Sequence, residues 1–173
     1  MKTVVIYKSK TGFAKKYAKW IAEKLSADIF EFTKANINIL ENYDTVIYGG
    51  SLYAVSINGV KLITQNLDKL KDKKIVVFAT GASPSREEVI SEVRNKNFTL
   101  EQQKYIRFFY LRGGFDYSKL KIFDKILMTL LKWKIKSKKE LTDDEKGMIS
   151  MYDKPVDFTR EENVDAIIDY INH

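Results

Sequence analysis

Two patterns of apolar residues alternate along this chain. Short uninterrupted apolar runs mark strands buried on both faces, and apolar positions recurring every three or four residues mark helices with one buried side. The runs place strands at 3–7, 28–32, 45–48, 75–79 and 104–111. The periodic stretches place helices at 13–25, 60–70, 83–95 and 120–136. In the first of these, Phe13, Tyr17, Trp20, Ile21 and Leu25 fall near one face. Ser83-Pro84 reads as a cap followed by proline at the first helical position. Thr142-Asp143-Asp144-Glu145 and Thr159-Arg160-Glu161-Glu162 both have capping-box spacing. Each is expected to open a helix, the second one the C-terminal helix.

Strands separated by helices imply a parallel sheet with helices on both faces. No repeat, low-complexity tract or Gly/Ser linker interrupts the pattern, so residues 1–173 read as one α/β domain. In open sheets of this kind, ligands bind beyond the carboxyl ends of the strands, where strand order reverses. Small or hydroxyl residues follow four strands here: Ser9 and Thr11, Gly49-Gly50-Ser51, Thr80-Gly81-Ala82-Ser83, and Gly113-Gly114. Such residues admit close approach of a ligand to the backbone.

The first of these ends carries the clearest chemistry. Strand, Ser9-Lys10-Thr11-Gly12 and helix follow one another directly. Exposed N–H groups, two hydroxyls and the positive end of a helix converge there, which suits a phosphate. The spacing is neither that of a P-loop nor that of the three-glycine dinucleotide turn. A short helix-capped turn suits a terminal monophosphate. At the third strand end, Leu52 and Tyr53 stand where an aromatic ring can stack on a planar ligand.

Composition removes several alternatives. The chain has no cysteine and its one histidine is the last residue, His173, so thiol chemistry, a buried catalytic histidine and a metal site are not expected. No signal-peptide pattern opens the sequence and no run is apolar enough to span a bilayer, so a cytoplasmic location is expected. The net charge of +7 is concentrated. Residues 119–139 hold eight lysines against one acid, Asp124. Within that segment Ile122, Phe123, Ile126, Leu127, Leu130 and Leu131 form two adjacent helical rows, and Trp133 lies between two lysines. The pattern fits a sheet-covering helix with a solvated basic face. It also fits a surface for anionic lipid or an acidic electron-transfer partner. No nucleic-acid-binding motif accompanies the charge, and nucleic acid is not an expected partner.

Ser9-Lys10-Thr11-Gly12-Phe13-Ala14 resembles the FMN phosphate loop of flavodoxins, with Ala14 where that family has a second threonine. Three further stretches resemble the branch of flavodoxin-like proteins that includes menaquinone-dependent protoporphyrinogen IX dehydrogenase. They are Gly49-Gly50-Ser51-Leu52-Tyr53, the segment from Gly113-Gly114-Phe115-Asp116-Tyr117 to Asp124-Lys125, and Met151-Tyr152-Asp153-Lys154-Pro155-Val156-Asp157-Phe158-Thr159. The resemblance implies a flavodoxin-like three-layer sandwich with a five-stranded parallel sheet in order 2-1-3-4-5. It implies non-covalent FMN, with the phosphate on Ser9, Lys10, Thr11, Gly12, Phe13 and Ala14. The ring would lie between Ser51, Leu52, Tyr53 and Ala54 on one side and Thr80, Gly81 and Ala82 on the other, with Gly113 nearby. No side chain stands out as a catalytic acid or base, as expected where a flavin carries the chemistry. Three functions follow: an oxidoreductase passing electrons to a quinone, peripheral on the inner face of a membrane through Lys119–Lys139; a soluble electron carrier; and a non-redox module for another phosphate ligand.

Overall fold

A computed structural model describes all residues, Met1–His173. Five principal strands form one parallel sheet: β1 (Thr3–Lys8), β2 (Asp28–Glu31), β3 (Thr45–Tyr53), β5 (Lys74–Gly81) and β6 (Ile106–Arg112). Their order is β2-β1-β3-β5-β6, the expected 2-1-3-4-5 once the principal strands are counted in sequence. A two-residue strand, β4 (Ser56–Ile57), folds back antiparallel on the end of β3. A separate ribbon pairs β7 (Gly114–Phe115) with β8 (Val156–Asp157). These three short strands carry too few residues to show a period in the sequence.

Alternation along the strands feeds two cores. Val4, Ile6, Val46, Tyr48, Ile75 and Val77 point to one face. There they meet Leu40 of α2 (Ile37–Leu40), Ile63 of α3 (Lys61–Thr64), Leu70 of α4 (Leu67–Leu70) and Val93 of α5 (Glu87–Asn97). Val5, Tyr7, Ile47, Val76 and Phe78 point to the other, against α1 (Phe13–Leu25) and α8 (Asp165–Asn172). The result is a three-layer sandwich. Its central strands are buried from end to end, which is why they read as uninterrupted apolar runs.

Several local expectations are corrected. β3 does not stop at Gly49-Gly50 but runs to Tyr53. The glycines serve packing rather than ligand approach: a Cβ on Gly49 would lie 2.0 Å from Cζ of Phe78, and one on Gly50 would lie 2.5 Å from Cγ2 of Ile57. The helix expected at 60–70 is broken at Asn66, whose backbone is non-helical and whose amide donates back to the Leu62 carbonyl. Ser83-Pro84 does not open a helix. The Ser83 carbonyl accepts from the Tyr110 hydroxyl, and α5 begins only at Glu87. The box at Thr142 forms as expected and opens α7 (Asp143–Ser150). The one at Thr159 does not, because Thr159 turns its N–H and hydroxyl to Asp157. α8 instead emerges from a 3-10 turn at Glu161–Val164.

The largest departure is α6 (Ile122–Lys136). It belongs to neither core, and of its residues only Ile135 is buried. The sheet-covering reading of this helix is therefore wrong: α1 and α8 already cover the face available to it. The α6–α7 segment leaves the domain after β7 and returns at β8, so the ribbon clamps its base. No helix is long and apolar enough to cross a membrane.

Candidate functional site

Four of the five principal strands, β1, β3, β5 and β6, bring their ends to the same edge. β1 enters the Ser9–Gly12 turn, and Gly12 takes φ +99°, a left-handed conformation suited to glycine. Ser9 Oγ accepts from the Gly12 N–H at 3.0 Å. α1 then starts with no side-chain cap and no acid in its first turn. Its first amides therefore point outward with the positive helix end behind them. Ala14 is fully buried in the core, so only its backbone faces the turn.

The second wall is the β3–β4 hairpin. Asn97, at the end of α5, fixes it from behind: its amide donates to the Val55 carbonyl and its Oδ1 accepts from the Ile57 N–H. Ala54 closes the hairpin at φ +51°. Ser51 is buried and its Oγ accepts from Asn58. Tyr53 remains 46% exposed with Lys10 Nζ 4.4 Å from its ring centre.

The third wall follows β5. Three bonds from β6 and its end hold the loop: Tyr110 hydroxyl to Ser83 carbonyl, Arg112 Nε to Ala82 carbonyl, and Gly113 N–H to Gly81 carbonyl. Burial pushes the Tyr110 phenol up to about 12, so it stays a neutral donor at any physiological pH. A Cβ on Gly81 would lie 2.7 Å from the Tyr110 hydroxyl, so the backbone here is packed as close as glycine allows.

Between these walls lies a cleft of about 460 Å³. Of the residues singled out in the sequence, Lys10, Thr11, Phe13, Ser51, Leu52, Tyr53, Ala54, Thr80, Gly81 and Ala82 line it. Ser9, Gly12 and Ala14 build the turn behind it. Gly113 is buried against Phe13 and Thr80, and its neighbours Gly114 and Phe115 reach the cleft instead.

Sequence reasoning missed the roof. Leu120, Asp124, Leu127, Met128, Leu131 and Met148 from the α6–α7 segment close the cleft from above. Asp124 binds Lys10 of the phosphate turn at 2.8 Å, across more than a hundred residues of chain. Arg86 pairs with Asp144, and the Tyr152 hydroxyl donates to the Met128 carbonyl at 2.7 Å. The available signal was Asp124 itself, the single acid in a lysine-rich stretch.

The arrangement fits a flavin mononucleotide on two independent counts. Uncapped amides and open space at the Gly12 turn suit a phosphate, since a Cβ there would meet nothing within 4 Å. A predominantly apolar cleft of this size with few polar groups suits a flat ring system.

Comparison with known proteins agrees. The family model described as a flavodoxin domain matches residues 4–142. An uncharacterized protein of Methanocaldococcus jannaschii is 30% identical over 131 residues, covering 71% of this chain and 83% of its own. Solved structures to which the chain is similar include the Trp repressor binding protein of Bacillus subtilis, at 14% identity and TM-score 0.49 over 65% of this chain and 83% of that one. Another is two-electron reduced Megasphaera elsdenii flavodoxin, at 15% identity and TM-score 0.44 over 62% and 84%. The chain belongs to the flavodoxin domain family, and the cofactor to which that family and this cleft point is FMN.

Proposed function

We propose that this protein is an FMN-dependent oxidoreductase of the protoporphyrinogen IX dehydrogenase type, with a quinone as electron acceptor. FMN supplies reversible one- and two-electron transfer when bound. The Ser9–Gly12 turn and the first amides of α1 hold its phosphate, and the 51–54 and 80–82 loops flank its ring. Tyr110 and Arg112 keep the 80–82 loop in place through its carbonyls.

One observation supports an enzyme over a simple carrier. The cleft is roofed by Leu127, Met128, Leu131 and Met148, side chains that offer an apolar reactant a dry seat beside the cofactor. A carrier that hands electrons through an exposed ring edge has no use for such a roof.

The test begins with the visible spectrum of the purified chain, recorded after adding FMN and desalting. Flavin bands that stay with the protein are expected, and a colourless protein overturns the reading. Anaerobic assays with a porphyrinogen and a short-chain quinone follow. Flavin reduced by the first and reoxidised by the second supports the dehydrogenase, whereas a bound flavin inert to both reduces the protein to an electron carrier.

A further inference from the structure

The α6 helix is apolar on two sides. One faces the protein, where Leu127, Met128 and Leu131 roof the cleft and Ile135 is buried. Polar links hold it there: Asp124 binds Lys10, Thr129 shares a 2.8 Å hydrogen bond with the Tyr117 hydroxyl, and Lys132 reaches Asp153 while lying over the Tyr152 ring. The second apolar side faces outward. Ile122, Phe123, Ile126, Leu130 and Trp133 are all exposed, Phe123 by 82% and Trp133 by 69%. At 3.6 residues per turn these five fall within about a third of the helix circumference. The polar contacts oppose any rotation that would turn this face inward.

Contiguous exposed apolar surface of this kind marks an interaction site. Charge selects the occupant. Lys121, Lys134, Lys136 and Lys139 are exposed and form no ion pair, and they flank the apolar row at both ends. A second copy placed face to face would set these lysines against one another. A lipid surface with anionic headgroups satisfies both features, because the aliphatic and aromatic tips enter the acyl boundary while the lysines meet phosphates. Trp133, between Lys132 and Lys134, has the character of an interfacial anchor.

We propose that the outward face of α6 docks the protein on an anionic phospholipid membrane. The same helix roofs the cleft, so docking holds the cleft within one helix diameter of the lipid. Docking itself does not depend on the flavin.

The experiment is co-sedimentation of the full chain with vesicles of phosphatidylcholine alone and of phosphatidylcholine with phosphatidylglycerol. Binding to the anionic vesicles that weakens with added salt is expected. Phe123→Glu with Trp133→Glu should lower the partition coefficient at least about tenfold. Lys121→Gln and Lys134→Gln should each lower it about fivefold. All four side chains are exposed, so an unchanged circular-dichroism spectrum is expected of every variant. Protein that stays in the supernatant with both vesicles overturns the proposal, as does equal binding to neutral and anionic lipid. A dimer in light scattering that Phe123→Glu dissolves assigns the face to a second copy, and tighter retention on polyglutamate than on vesicles assigns it to an acidic protein. Either result also overturns the proposal. None of these readouts involves flavin, so their failure leaves the proposed function standing.

Discussion

Phe78 and Phe123 are the same residue in opposite circumstances. Phe78 lies in β5, fully buried, its ring filling the space that Gly49 leaves open. Phe123 lies in α6 and is among the most exposed large apolar side chains in the molecule. Neither lines the cleft, but β5 leads into its floor and α6 forms its roof. The floor is built on the sheet, where each side chain is held by neighbours on every side. The roof is built on a helix pair held at its base by the β7–β8 ribbon and along its length by a few polar links. A rigid floor can position a cofactor, while a roof with so little burial is free to serve a surface beyond the domain.

The contrast can be broken most sharply at the phosphate turn. Thr11→Asp replaces a donor by a carboxylate beside the proposed phosphate, a penalty of about 3–5 kcal/mol for an uncompensated charge. Retained flavin should vanish after desalting, and wild-type occupancy in this variant would place the phosphate elsewhere. The two phenylalanines come next. Phe78→Ala should cost about 3–5 kcal/mol in urea unfolding, as for other buried aromatic truncations. Phe123→Ser should change stability by no more than about 0.5 kcal/mol. Comparable losses in both would mean that the roof is packed as firmly as the floor.

Smaller effects sharpen the picture. Tyr53→Ala should weaken FMN binding by about 0.5–1.5 kcal/mol beyond lost contact area, as expected for a stacked aromatic pair. Unchanged affinity by fluorescence titration would return Tyr53 to its contact with Lys10 alone. Asp124→Asn removes the link from roof to turn. Limited proteolysis should then cut the α6–α7 segment faster, while urea stability shifts by no more than about 1 kcal/mol, as for a single partly exposed ion pair.

The smallest effect is a pH dependence at the base of the roof. Hydrogen bonds from Ser118, and then the Lys119 ammonium, hold the Asp116 carboxyl below its ordinary range. A depressed folded-state value means that the charged form is favoured by folding. The stabilisation is complete above the ordinary value of about 4 and is lost as pH falls through the folded-state value. Proteolysis of the roof should therefore quicken in acid, and Asp116→Asn should remove that dependence.

These differences also explain what could be read in advance. Buried strands announce themselves because both faces select apolar residues, and 13–25 was located to the residue because its apolar period and the turn before it agree. The roles of Gly49 and Gly50 were misjudged because a glycine that admits a ligand and one that admits a phenylalanine look alike in sequence. Thr159 failed as a cap because Asp157, two residues away, competed for its N–H and hydroxyl. Asp124 could not be assigned to Lys10 because nothing local encodes a contact across the whole domain.

The sequence by itself determined the strand order's raw material, the phosphate turn and the concentration of charge between residues 119 and 139, since each depends on neighbours in the chain. Only the tertiary structure decided which way α6 faces. An amphipathic pattern states that a helix has an apolar side but not what covers it. Here the sheet faces were already filled by other helices, and the polar links to Lys10, Tyr117 and Asp153 hold Leu127, Met128 and Leu131 over the cleft, which leaves Ile122, Phe123, Ile126, Leu130 and Trp133 outward.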